Sequence, residues 1–235
     1  MMLNSDTVLT DGAADDLIEF MDTHPMAGAA GGQLLNRDGS RQNSFETFPT
    51  LLTELTNKSL LKWIFPKRYL NKNRDYAIPV EVDQVIGACL IVRREVIKDV
   101  GLLDERFFLF YEETDWAFRI WKSGWKIFHV PSARIYHIQG QSAKQRLPLA
   151  RIEFFRSRYQ YFEKHCGRKR SLMLYYGLII KLIADLFINL AGVIITLGLS
   201  RSVGSKVYVY SNLLWWHLKG RPELVGLKGL DGIFR

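Results

Sequence analysis

The chain has 235 residues, 48% of them hydrophobic and 24% charged. Those proportions suit a globular protein with a buried core and exclude a disordered chain, a collagen-like fibre and a coiled coil. The net charge of +8 is unevenly spread: residues 144–235 hold 16 Lys and Arg against 5 Asp and Glu, while residues 1–143 hold 16 against 19. A basic C-terminal part of this kind predicts an anionic partner, either a membrane surface or a nucleic acid. The two cysteines, Cys89 and Cys166, have no paired spacing, so a disulfide scaffold and a CxxC zinc site are excluded. The N-terminus has neither a basic n-region nor an apolar h-region, and a reducing, cytoplasmic setting is expected.

In chain order, Asp11 is the expected N-cap of a helix reaching about Asp22, with Leu17, Ile18, Phe20 and Met21 on or near its apolar face. Gly28–Leu35 reads as a short strand, Asn36–Gly39 as a turn and Thr50–Thr56 as a second helix opened by Pro49. Residues 58–75 are basic and read as a loop. Val80–Val92 reads as one apolar strand through the core, and Arg94–Val100 as a helix stopped by Gly101. The aromatic run Phe107–Tyr111 is expected to end a buried strand. A helix follows over Glu112–Ser123, with Gly124 at its end. Lys126–Val130 and Ala133–His137 read as strand pieces broken by Pro131, and Pro148–Lys164 as a basic, aromatic helix. Strands and helices alternate to about residue 142, and the rest is helical. The expected organisation is an α/β body over 1–145 and a helical appendix over 146–235.

Ser171–Ser200 carries only two charges, Lys181 and Asp185, and its longest uncharged piece, Leu186–Ser200, is 15 residues. A clean span needs about 20, so an interfacial or re-entrant helix leads over a true span and over a buried soluble helix. Beside a basic flank, such a helix favours an anionic lipid surface. Nucleic acid is the weaker alternative. Aromatic and basic residues interleave over 154–161, but no nucleic-acid motif is present.

Two groups of residues carry candidate chemistry. Glu112, Glu113 and Asp115 crowd one helix start, with Asp115 and Arg119 four apart on one face. Such acids complement a helix macrodipole, and Arg119 would pair Asp115. The same acids at the carboxyl end of a strand would supply a general base toward a sugar hydroxyl. His137 closes a strand and Asp6 lies in a turn-like segment. An imidazole and an oxygen ligand suit Mn²⁺ or a similar ion.

Six pieces stand in a specific order and spacing: Val82–Arg94, Val100–Phe108, Tyr111–Trp116, Gly124-Trp125, Val130-Pro131 and His137. Together with Leu3-Asn4-Ser5-Asp6-Thr7, His24-Pro25 and Asp38-Gly39-Ser40, they resemble the family 2 glycosyltransferases, in particular the rhamnosyltransferase-like enzymes of bacterial polysaccharide assembly. The resemblance covers roughly residues 3 to 165. It implies a partial GT-A (Rossmann-like) sheet followed by a membrane-associating helical appendix at the cytoplasmic face of the plasma membrane. It also implies inverting transfer from a nucleotide-diphosphate sugar to a lipid-linked saccharide. By the same resemblance Asp6, Asn4 and His137 would hold a divalent metal (Mn²⁺ or Mg²⁺). Glu113, at the position of the family's usual Asp, would be the base, with Asp115 as the competing choice or helper and Glu112 beside them. Gly87 and Ala88 would line the acceptor side, and Trp116 and Arg119 would also contact substrate. The family carries a nucleotide-binding half before the Asn4–Asp6 segment, so this chain is expected to be a truncated form, a split-enzyme half or an inactive remnant.

Overall fold

A computed structural model describes residues 1–65, 68, 70, 74–138 and 147–228, without the side chain of Lys62. The chain forms two compact units. The first comprises residues 1–49, 58–105 and 112–140. The second comprises residues 50–57 and 106–111 with the C-terminal chain. The expected boundary at 145/146 lies outside the described residues.

The first unit is built on a mixed sheet. Its main path runs β1 (Met2–Leu3), β7 (Cys89–Val92), β3 (Ala27–Leu35), β8 (Lys126–His137) and β2 (Thr7–Leu9), and β5 (Val80–Val82) also pairs with β8. Strands β3 and β8 are parallel, and the other pairings are antiparallel. A small second sheet joins β4 (Phe45–Glu46) to β6 (Gln84–Val85).

Helix α1 (Ala13–Thr23) covers one face of the main sheet with Leu17, Phe20 and Met21, packed against Ala30, Leu34 and Ile135. Its N-cap is Gly12 at φ 77°, one residue later than expected, and Ile18 points to solvent because it lies about 100° from Leu17 on the helix. The opposite face is packed by α4 (Arg94–Val100) and α5 (Glu112–Lys122), which bury Val96, Trp116, Ala117 and Ile120 on Ala29, Leu90 and Ile127. The architecture is therefore α/β, with helices on both faces of the sheet, as parallel pairing requires.

Four sequence expectations are corrected. Residues 58–75 are not all loop, since α3 (Lys58–Ile64) forms there. Val80–Val92 is three strands rather than one, because the chain leaves the main sheet at Asp83, pairs with β4, and returns after Ile86-Gly87-Ala88. Asp83 Oδ2 accepts the Phe48 N–H at 2.8 Å and fixes that departure. Conversely, Lys126–His137 is a single strand despite Pro131. Its register against β3 jumps from Gly32↔Val130 to Gln33↔Arg134, so Pro131 sits in a bulge where no N–H is required. The fourth correction concerns Phe107–Tyr111, which is not a strand. Phe110 and Tyr111 both have φ 67°, a left-handed conformation that no strand can contain.

Strand β3 is rich in glycine because its surroundings leave no room for side chains. A Cβ on Gly32 would lie 2.2 Å from the carbonyl oxygen of Ala133 and 2.3 Å from Ile135 Cδ1. The first obstacle is backbone of the paired strand and cannot yield. Gly32→Ala is expected to destabilise the protein by about 3 kcal/mol in chemical denaturation. A loss under about 0.5 kcal/mol, the range of an ordinary surface substitution, would contradict this account of the strand.

The second unit is helical. It holds α2 (Leu51–Leu55), α6 (Leu147–Ile195), which kinks at Gly167 (φ 78°), and α7 (Arg201–Leu218). Two basic residues of its first helical arm turn inward. Arg156 pairs with Glu153 and donates to the carbonyl of Val225, and Arg158 reaches Glu54 at 3.1 Å while lying over the rings of Phe154 and Phe155. Ser157 Oγ donates to the carbonyl of Leu109, tying down the segment before α5.

Candidate active site

Asn4-Ser5-Asp6-Thr7 is a tight turn. The N–H and the hydroxyl of Thr7 both donate to the Asn4 carbonyl, at 3.2 and 2.6 Å. The turn leads into β2, which pairs antiparallel with the end of β8, so Thr7 lies opposite His137. Residues 131 positions apart thereby meet: His137 Nε2 is 3.5 Å from Asp6 Oδ1.

The state of this imidazole follows from its other neighbour. Gln42 Nε2 donates to Asn36 Oδ1 at 2.8 Å and to the His137 carbonyl at 2.6 Å, so its Oε1 is the acceptor facing His137 Nδ1 at 3.0 Å. Nδ1 therefore carries the proton, and in the neutral ring Nε2 turns its lone pair toward the Asp6 carboxylate. Two electron-rich atoms facing each other call for a cation or a proton between them, and an acceptor holding the far N–H orients a metal-binding histidine. Sequence reading missed Gln42 entirely, because nothing local marks a glutamine that acts on a strand 95 residues away. Asn4 is exposed at the head of the turn. Among the described residues no three His, Cys, Asp or Glu side chains cluster as a metal site, so an ion here would take further ligands from substrate or water.

The turn connects to the acid cluster through backbone. The Asn4 N–H donates to the Ala88 carbonyl at 3.0 Å. Ala88 itself is buried, and its neighbour Gly87 lies against Glu113, where a Cβ on the glycine would sit 3.3 Å from Glu113 Cβ. The Gly87 amide also hydrogen-bonds the Glu113 carboxylate. A side chain at position 87 would press on this carboxylate, which explains a glycine there.

Glu112 and Glu113 open α5. Both are half-buried, and among the described residues Oε2 of each is inaccessible and lacks a hydrogen-bond partner. Burial, reinforced by the adjacent Glu112 charge, pushes the Glu113 carboxyl up to about 7. Glu112 is raised as well, through burial. Carboxyl groups with raised proton affinity in a cleft are candidates for proton transfer.

Asp115 differs from both. It is fully buried, and Arg119 Nε donates to its Oδ2 at 2.9 Å. The Arg119 guanidinium also holds the carbonyls of Val100 and Leu102. This is the helix pair expected from the four-residue spacing, and it fixes the start of α5 on the end of α4. Trp116 lies in the core at 1% exposure, its indole N–H on the Gly101 carbonyl at 2.8 Å. Trp116 is therefore a core residue, which corrects its assignment as a substrate contact, while Arg119 braces the start of α5.

The α/β sheet flanked by helices thus carries an acid pair at a helix start and a carboxylate–imidazole pair at a strand end. The chain is similar to the glycosyl transferase family group 2 over residues 1–218, and it belongs to that family. It is also 32% identical over 146 residues to N-acetylglucosaminyl-diphospho-decaprenol L-rhamnosyltransferases from two strains of Mycobacterium tuberculosis. That match covers 60% of this chain and 47% of each relative, so the chain spans about half the length of the curated relatives it matches.

Proposed function

We propose that this chain carries the acceptor-side catalytic machinery of an inverting glycosyltransferase. It would act between a nucleotide-diphosphate sugar and a lipid-linked saccharide, at a membrane surface, in cell-surface polysaccharide assembly. The observation that carries the reading is the Glu113 carboxylate, half-buried against Gly87 with one oxygen unpartnered and its proton affinity raised toward neutrality.

Glu113 takes the proton from the acceptor hydroxyl as that oxygen attacks the anomeric carbon and the bond to the diphosphate breaks. Glu112 keeps the proton affinity of its neighbour high. Asp115 and Arg119 hold the helix start in place. Asp6 and His137, with Asn4 beside them, would hold a divalent cation, Mn²⁺ or Mg²⁺. Such an ion stabilises negative charge on a diphosphate leaving group. The relatives' name specifies a rhamnosyl donor and an N-acetylglucosaminyl-diphospho-lipid acceptor, and those are the first substrates to try.

The test is transfer of radiolabelled rhamnose from its nucleotide diphosphate to such an acceptor, together with Mn²⁺ titration of the protein. Transfer is expected, and Gln42→Ala is expected to weaken Mn²⁺ binding by about 10-fold or more through loss of the imidazole's orientation. If the chain shows neither transfer nor saturable, Mn²⁺-dependent nucleotide-sugar binding, the alternative of an inactive remnant or split-enzyme half replaces this reading.

A further inference from the structure

Beyond Gly167, the 168–195 arm of α6 runs antiparallel to α7. The Tyr175 and His217 rings lie 6.0 Å apart at one end, and a Cβ on Gly192 would lie 3.2 Å from Val203 at the other. Leu174, Leu178 and Leu182 are buried on one arm, and Val209, Leu213 and Trp216 on the other. Between Leu182 and Val209 no residue is buried.

The uncovered side of the 168–195 arm is apolar along its whole length. Met173, Tyr176, Ile180, Ile183, Phe187, Leu190 and Ile194 recur at three- and four-residue spacing and are all exposed, Ile180 at 68% and Ile194 at 74%. By composition α6 is long and apolar enough to cross a membrane. The positions of the charges argue against a crossing. Lys181 and Asp185 fall about a third of a turn or more from the centre of the apolar stripe, and Arg201 and Lys206 stand on the first turns of α7. A transverse arm would carry Lys181 and Asp185 into the hydrocarbon, where charges are strongly disfavoured. A pair lying flat sinks only the stripe and leaves the charges at headgroup level. Tyr208 and Trp215, exposed on α7, suit that same level. Exposed Arg168, Lys169 and Arg170 at the start of the arm, with Lys219 and Arg221 at the end of α7, match an anionic surface.

We propose that this helix pair lies in the plane of an anionic bilayer, with the 168–195 stripe immersed below the headgroups, and does not cross it. The proposal rests on the membrane-surface reading above and specifies its geometry. The occupant of the stripe is lipid.

The test uses the full chain with Cys89→Ala and Cys166→Ala, bearing either Phe187→Cys or Arg201→Cys. The chain is expected to float with phosphatidylglycerol-rich vesicles and not with pure phosphatidylcholine. Replacing Arg168, Lys169 and Arg170 by serine is expected to weaken flotation at least about tenfold. A paired Ile180→Glu and Phe187→Glu change should do the same, judged against a variant of Arg37→Glu, an exposed loop residue far along the chain. On vesicles, a membrane-impermeant maleimide added outside should label Arg201→Cys and spare Phe187→Cys until detergent is added. Three results overturn the proposal: protection of Arg201→Cys from outside, which means crossing; labelling of Phe187→Cys; or a soluble dimer that covers the stripe and does not float. Measuring transfer and flotation on the same wild-type chain separates the two readings. Normal flotation without transfer in the wild-type chain would defeat the transferase reading alone, whereas transfer in detergent without flotation would defeat this one alone.

Discussion

Glu113→Gln is expected to abolish transfer and, at neutral pH, to make the protein more stable. Both effects have one cause. The folded protein holds the Glu113 carboxyl in a site where burial and the Glu112 charge disfavour ionisation, so its proton affinity rises from the ordinary glutamate value of 4.5 to about 7. A carboxyl whose folded value exceeds its unfolded value binds the proton more tightly in the native state, so native stability falls as pH rises between those two values. Wild type should lose about 2 kcal/mol between about pH 5 and about pH 8, and the glutamine variant, which has no such charge, should keep most of it. Transfer should run the other way. A base must be unprotonated, so kcat should climb with pH through about 7 in the wild type, and the variant should lose about 10²–10⁴-fold. Thermal melts across pH, paired with a pH–rate profile, check both. A variant that melts lower than wild type at pH 8, or a rate flat through neutrality, would remove Glu113 from the role of base.

Arg119→Met carries the second large effect, on stability. Asp115 is fully buried, and Arg119 forms an ion pair with it. Removing one member of a buried ion pair costs about 3–5 kcal/mol, because the remaining charge keeps its desolvation penalty. The change also strips donors from the carbonyls of Val100 and Leu102. For a chain of this size Tm should fall on the order of 10 °C. Lys122→Met, an exposed residue of the same helix, should change stability by less than about 0.5 kcal/mol. Equal melting of the two variants would show that the Asp115–Arg119 pair does not anchor α5.

The sequence alone determined the features that depend on neighbours along the chain. Helix α5, its acidic start, its end at Gly124 and the Asp115–Arg119 pair all follow from a period of 3.6 residues and from residue types three or four apart. The order of motifs from Val82 to His137 was enough to reach the family, because spacing along a chain survives where contacts are invisible. The apolar segment and the basic C-terminal part were equally legible as composition.

Only the tertiary structure decided what depends on residues distant in sequence. The meeting of Asp6 with His137 is set by β2 pairing with the far end of β8, and the tautomer of that histidine by Gln42, across 95 positions. Pro131 reads as a strand breaker until the bulge against β3 removes the need for its N–H. Phe107–Tyr111 reads as a strand until two left-handed residues turn it into an irregular segment. Trp116, adjacent to the acids in sequence, faces the core because a helix sends neighbouring side chains about 100° apart. The raised proton affinity of Glu113 belongs to the same class: it arises from burial, reinforced by the Glu112 charge, and that burial does not exist before the chain is folded.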